Sequence, residues 1–239
     1  MKSTLILWCL HGNPGSFEDF KNLKMELEPS GIELKALKFD FEDPARTLDA
    51  VKPSDILLGY SWGSYGILKS IESSQKNISN RIFLIAPFLA SSKPLSTFSK
   101  ILLQTPFVSS GLIHLSFKKW SLDFEKRMFS ENEILLAPDF LNSLKLASVW
   151  KQTLSNKIFQ ESNPLSSKLA NSIKAPINLL LGKRDQIINE SEVLSQFRSL
   201  NLVTETRYLP MGGHALPWTH TKEIANWLLT SLQVKGIHK

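Results

Sequence analysis

The chain has 239 residues, 42% of them apolar and 21% charged, with a net charge of +6. This composition excludes intrinsic disorder, and the length suits one domain, or one core carrying an insertion, large enough to bury a core without disulfides. A single cysteine excludes an intramolecular disulfide, which fits a reducing compartment. No apolar run is long enough to span a membrane, so the cytoplasm is the expected location.

Thr4–Leu10 predicts a buried strand, all apolar after its first residue. Lys2 ahead of it imitates a signal peptide, but the run is short and ends in His11-Gly12 with no small-residue cleavage site. Cys9 lies inside the run and is expected to be a buried strand residue rather than a reactive thiol. After the Gly/Pro loop His11–Gly15, Ser16 is placed to cap a helix. Glu18 and Asp19 put negative charge in its first turn, Phe17, Phe20, Leu23 and Leu27 follow at helical spacing, and Pro29-Ser30-Gly31 ends it.

Ile32–Phe39 roughly alternates and predicts a second strand, followed by a turn over Asp40–Pro44 and a short helix over Ala45–Val51. Asp55–Tyr60 is the third predicted strand, Trp62–Gln75 a helix, and Arg81–Ala86 the fourth strand, closed by Pro87. From Leu89 to about Lys174 the alternation is lost. Helical stretches stand out at Phe98–Leu103, Asn132–Leu136 and Phe140–Thr153, with no clear strand. Alternation resumes with strand Ile177–Leu181, helix Glu190–Leu200, strand Val203–Leu209 and helix His220–Leu232.

Strands alternating with helices imply an α/β fold, a mostly parallel sheet flanked by helices. The middle stretch is too long for an ordinary loop. It is expected to be a helical cap insertion over residues 90–173, with a core formed by residues 1–89 and 174–239.

The residues with chemical potential fall at strand ends. The apolar Ile56-Leu57-Leu58 runs into Gly59-Tyr60-Ser61-Trp62-Gly63 and then directly into a helix. A Gly-x-Ser-x-Gly segment in that context makes a sharp turn that lifts the serine above the sheet edge, ahead of a helix N-terminus that favours developing negative charge. Ser61 is therefore the candidate nucleophile. A serine hydroxyl needs a base to take its proton. Of the five histidines, His214 follows the last strand in a short loop, while His220 is better placed to order the start of the final helix. Asp185 follows the strand Ile177–Leu181 and is the candidate orienting carboxylate, although an acid in such a turn can also simply face solvent. The chain order Ser61, Asp185, His214 is that of α/β-hydrolase triads. An oxyanion hole would use the backbone N–H groups of Asn13 and Trp62, one such donor typically stabilising a transition state by roughly 3 kcal/mol. His11 is expected to brace its loop, and Pro14 has no N–H to donate.

These segments resemble the α/β-hydrolase superfamily over nearly the whole chain. The resemblance is to small capped serine esterases, including the pimeloyl-carrier-protein methyl-ester esterases of biotin synthesis, and also to menaquinone-pathway lyase-type enzymes with a Gly-Tyr-Ser-Met-Gly elbow. It implies Ser61 as nucleophile, His214 as base, Asp185 as orienter, and Asn13 and Trp62 at the oxyanion hole, with no metal or cofactor. The His-Gly-Asn-Pro loop also resembles haloalkane dehalogenases and epoxide hydrolases, but those use an aspartate where this chain has Ser61. Relative to the esterases, the bulkier Trp62 is expected to narrow the acyl pocket. The chain starts at the first core strand, so one edge of the sheet is expected to be shorter than in some relatives. A non-catalytic ligand-binding scaffold is the competing class, and the intact residue set argues against it.

The positive charge is concentrated. Residues 93–174 hold 11 Lys/Arg against 6 Asp/Glu, which accounts for five of the six excess charges. Two readings stand. The resemblance implies that Lys118, Lys119, Lys126 and Arg127 dock an acidic acyl-carrier protein bearing the ester. Alternatively these residues, with Lys145, Lys151 and Lys157, form a solvated helical surface balanced by Asp123 and Glu125. No recognition motif points to nucleic acid.

Overall fold

The computed structural model describes residues 5–74, 80–89, 119, 121–129, 138–174 and 176–232. Six strands form one sheet in the order β2-β1-β3-β4-β5-β6, every pair parallel. They are β1 (Leu5–Leu10), β2 (Ile32–Ala36), β3 (Ile56–Tyr60), β4 (Arg81–Ile85), β5 (Ile177–Gly182) and β6 (Thr204–Leu209). The sequence-predicted strands coincide with these. β2 is shorter than expected because its partner β1 ends: Cys9↔Ala36 is the last pair in register, and the Leu37 N–H still donates to the Cys9 carbonyl at 2.8 Å.

The inner strands β1, β3, β4 and β5 are largely apolar on both sides because both faces are covered, while the edge strands β2 and β6 carry polar residues at alternate positions. Alternate residues divide between two cores. Leu58, Tyr60, Phe83 and Leu180 pack with helix α1 (Lys21–Leu27) and the C-terminal helix (Thr221–Ser231), while Leu57, Leu84 and Leu179 pack with α2 (Trp62–Ser74) and the helix Glu190–Ser199. Ser16 starts the first helical segment through a capping box with Asp19, its Oγ accepting the Glu18 N–H at 3.2 Å. Gly31, at φ 76°, ends that segment in the left-handed conformation.

Between β4 and β5 the described chain is helical over residues 121–128, Pro138–Ser143, Ala147–Ser162 and Leu169–Ser172. The single helix expected over Phe140–Thr153 is two helices. They are broken at Leu144–Leu146, where the Trp150 indole N–H donates to the Leu144 carbonyl at 2.7 Å. The helices expected over Phe98–Leu103 and Asn132–Leu136 lie outside the described residues. Met128, Phe129, Phe140, Leu144 and Trp150 form a third apolar cluster, which closes on Ala215 in the loop beyond β6. Leu169 and Ile173 belong instead to the core on the α2 face. No described helix is long and apolar enough to cross a membrane.

Candidate active site

In a wholly parallel sheet every strand delivers its following loop to the same edge. β1 therefore leads to His11–Gly15, β3 to Ser61, β5 to Asp185 and β6 to His214, all on one side of the molecule.

The turn at Ser61 is strained. Its φ is 50°, a left-handed conformation uncommon for any residue but glycine. The elbow is held from β4: the Ser61 N–H donates to the Ile85 carbonyl at 2.9 Å, and the Ser61 carbonyl accepts from Phe88 N–H at 3.1 Å and Ser64 N–H at 3.0 Å. Glycine at position 63 is required by close approach. A Cβ there would sit 2.1 Å from the Leu10 carbonyl oxygen and 2.5 Å from that of His11, so only glycine lets α2 start against the end of β1.

The loops carrying Asp185 and His214 are joined through their backbones. Lys183 N–H donates to the Leu209 carbonyl and Arg184 N–H to the Gly212 carbonyl, both at 3.0 Å. Asp185 Oδ1 accepts the N–H groups of Ile187 (2.7 Å) and Ile188 (3.0 Å), leaving Oδ2 for His214 Nδ1 at 2.7 Å. A carboxylate only accepts, so Nδ1 carries the proton and Nε2 faces Ser61 Oγ, 2.9 Å away, with its lone pair. The structure thus brings Ser61, His214 and Asp185 into one hydrogen-bonded chain, with Ser61 5% and His214 1% exposed. Such a chain can pass a proton from a hydroxyl to an imidazole whose resulting charge the carboxylate stabilises.

The loop after β1 lies directly against this chain. A Cβ on Gly12 would be 3.2 Å from Ser61 Cβ and 3.0 Å from the Tyr60 ring, so the bare backbone of Gly12 is what lets this loop lie against the serine. Asn13 joins Pro14 through a cis peptide bond, and its side chain donates to the Thr153 carbonyl at 3.1 Å. Trp62 is the first residue of α2, where a backbone N–H has no intrahelical acceptor.

Sequence searches find no matching family profile and no matching curated protein. Many solved structures match by shape. An esterase from Thermogutta terrifontis aligns with a TM-score of 0.69 at 16% identity, over 97% of this chain and 91% of that one. A bromoperoxidase from Bacillus anthracis gives 0.71 at 14% identity, over 97% and 92%. The thioesterase domain from the curacin biosynthetic pathway gives 0.61 at 15% identity, over 95% and 92%. This is the α/β-hydrolase fold.

The other described histidines, His11 and His220, have different partners. His11 Nδ1 donates to the Gly12 carbonyl at 2.7 Å, and burial holds its pKa below the ordinary value, so the ring is a neutral brace for its own loop. His220 precedes the C-terminal helix, with Nδ1 2.8 Å from the Thr219 hydroxyl. His114 and His238 lie outside the described residues.

Trp62 is 4% exposed, and its ring packs against Phe39, Tyr65 and the face of Phe41. Of the basic residues, Lys119 and Lys126 are exposed and Lys118 lies outside the described residues. Arg127 is also exposed at the surface, but its guanidinium is engaged, donating from Nε (3.1 Å) and Nη2 (2.8 Å) to the Gln186 carbonyl.

Three features near the site had little signal in the sequence. The Tyr60 hydroxyl donates to the His214 carbonyl at 3.2 Å. Asp19, at 2% exposure, is buried behind the His11–Gly15 loop, and burial raises its pKa to about 8 against the opposing pull of the Ser16 and Gly12 backbone and the Trp218 indole. Its capping-box position was visible, but its burial comes from packing with elements far along the chain. The third feature is the pair of contacts made by Arg127 and Met128.

Proposed function

We propose that this protein is a serine carboxylic-ester hydrolase working through an acyl-enzyme. The observation that carries the proposal is the continuous hydrogen-bonded chain Ser61–His214–Asp185, at 2.9 and 2.7 Å, on a serine held at φ 50°. An esterase and a thioesterase domain among the matched structures support the same reaction class.

Ser61 Oγ attacks the ester carbonyl as its proton passes to His214 Nε2. The backbone N–H groups of Asn13 and Trp62 take the charge on the carbonyl oxygen. The tetrahedral intermediate collapses, the C–O bond to the alcohol breaks, and His214 returns the proton to the leaving oxygen. Water then attacks the acyl-Ser61 ester by the same route, releasing the acid and restoring the serine. A panel of p-nitrophenyl esters of varied acyl length, with Ser61→Ala as control, tests this reading together with labelling by a fluorophosphonate probe. Labelling at Ser61 and turnover that disappears in the variant are expected; a folded wild-type protein that neither labels nor turns over would sink it.

The finer proposal is an ester borne on an acidic acyl-carrier protein, a pimeloyl methyl ester being the first candidate. The helices of residues 90–173 act as the cap, and exposed Lys119 and Lys126 support electrostatic docking there. Hydrolysis of a carrier-linked ester should fall with salt and with charge reversal at Lys119 and Lys126, while a small p-nitrophenyl ester is unaffected. Equal behaviour of the two substrates would reject carrier docking.

A further inference from the structure

Two consecutive residues of the segment between β4 and β5 bond to both loops that carry the acid and the base. Arg127 donates twice to the Gln186 carbonyl, at 3.1 and 2.8 Å. The carbonyl of Met128 accepts both the His214 N–H at 3.0 Å and the Ala215 N–H at 3.1 Å. Met128 is 2% exposed and Phe129 4%, and both pack in the apolar cluster that contains Ala215 and touches Ile187. The short helix 121–128 is thereby fixed to the two loops by charge-assisted hydrogen bonds, backbone bonds and apolar packing at once.

Gln186 is not an arbitrary anchor. It lies inside the turn that Asp185 Oδ1 makes with the Ile187 and Ile188 N–H groups, and that turn aims Oδ2 at His214. Rotating the Gln186 peptide would move the Ile187 N–H and release Oδ1, so the carboxyl could swing away from the imidazole. An arginine fits this task because its planar fork presents Nε and Nη2 together to one acceptor, which a lysine cannot reproduce.

We infer that Arg127 is a positioning residue for the reaction: with the Met128 carbonyl it holds the Asp185 and His214 loops in register, so that docking of the 121–129 segment and alignment of the Ser61 chain are one event. This rests on the serine-hydrolase reading for its kinetic consequence, but not for its geometric one. Arg127 touches neither substrate nor reacting atoms and acts only through Asp185. Asp123, exposed on the same helix and bonded to neither loop among the described residues, is the natural control.

The experiment compares wild type, Arg127→Ala, Arg127→Lys and Asp123→Ala by three measurements. The first is the rate of fluorophosphonate labelling and ester turnover. Arg127→Ala should lose about 10- to 100-fold in kcat with little change in KM, the cost expected of a misplacement on the order of 1 Å. Arg127→Lys should recover only part of this, and Asp123→Ala should match wild type. The second is rescue, in which added methylguanidinium should raise the rate of Arg127→Ala alone. The third is the downfield proton resonance of His214 Nδ1–H bonded to Asp185, read by NMR. It should broaden or shift in Arg127→Ala and persist in Asp123→Ala.

A rate loss in Arg127→Ala that tracks only the folded fraction from thermal melts, with no rescue and an unchanged resonance, would overturn the inference. Wild-type activity in that variant would do so as well. If wild-type protein is not labelled at all, the hydrolase reading fails on its own, and the resonance still decides whether Arg127 aligns Asp185.

Discussion

The hydroxyl of Tyr60 donates to the backbone carbonyl of His214 at 3.2 Å, so the residue preceding Ser61 holds the loop that presents the His214 imidazole. The ring is 1% exposed and lies 5.7 Å from the imidazole. Tyr60→Phe removes one of two donors to this carbonyl, which keeps the Leu216 N–H at 2.8 Å. The expected cost is about 0.5–1.5 kcal/mol of stability, measured by urea denaturation, together with a fall in kcat as the loop gains freedom.

The three members of the hydrogen-bonded chain should fail unequally. Ser61→Ala and His214→Ala each remove a reacting group and should lower kcat by on the order of 10⁶-fold. Asp185→Asn keeps the shape but cannot accept from Nδ1–H in the same way, and a loss of about 10⁴-fold is expected. Steady-state hydrolysis of a p-nitrophenyl ester, with active-site titration, checks the order.

Gly63→Ala should be a folding defect rather than a kinetic one. The added methyl would meet the Leu10 and His11 carbonyl oxygens at 2.1 and 2.5 Å, and both belong to main chain that cannot turn aside. A loss on the order of 3–5 kcal/mol is expected, seen as low soluble yield and a depressed Tm. A variant with wild-type Tm would contradict this packing.

Asp19 gives the fold a pH dependence. Its carboxyl is buried beside Glu18 and Tyr60, and its folded pKa of about 8 lies above the value of about 3.9 for an unfolded aspartate. The folded state therefore holds the proton more tightly. The associated stability is complete below about pH 4 and is lost as pH rises through about 8. Asp19→Asn cannot ionise, so the stability of wild type relative to this variant should decline between pH 5 and pH 9 in paired urea melts. A constant difference would mean that Asp19 ionises with an ordinary pKa.

The sheet was legible because its inner strands are short apolar runs and its edge strands alternate, and a parallel sheet needs no further information to place four loops on one edge. Ser61, Asp185 and His214 were legible for the same reason, since each follows a strand directly. The contacts that were not legible join residues distant in sequence with no local pattern. Arg127 looked like one more member of a basic run, and only the folded chain brings it to Gln186. The packing of Trp62 was not legible for a related reason. Its ring neighbours Phe39 and Phe41 lie in the turn after the second strand, and nothing in Gly-Tyr-Ser-Trp-Gly announces them.

The burial of Trp62 constrains how this protein could change over evolution. Phe41 stacks on its ring at 26°, and Phe159 of the helix Ala147–Ser162 meets Phe41 edge-on at 5.2 Å. A smaller residue at position 62 would leave a void between the elbow and its covering helix before it made room for a larger acyl group. Room for a different acyl group would therefore have to come from other positions, while the residue beside the serine stayed frozen.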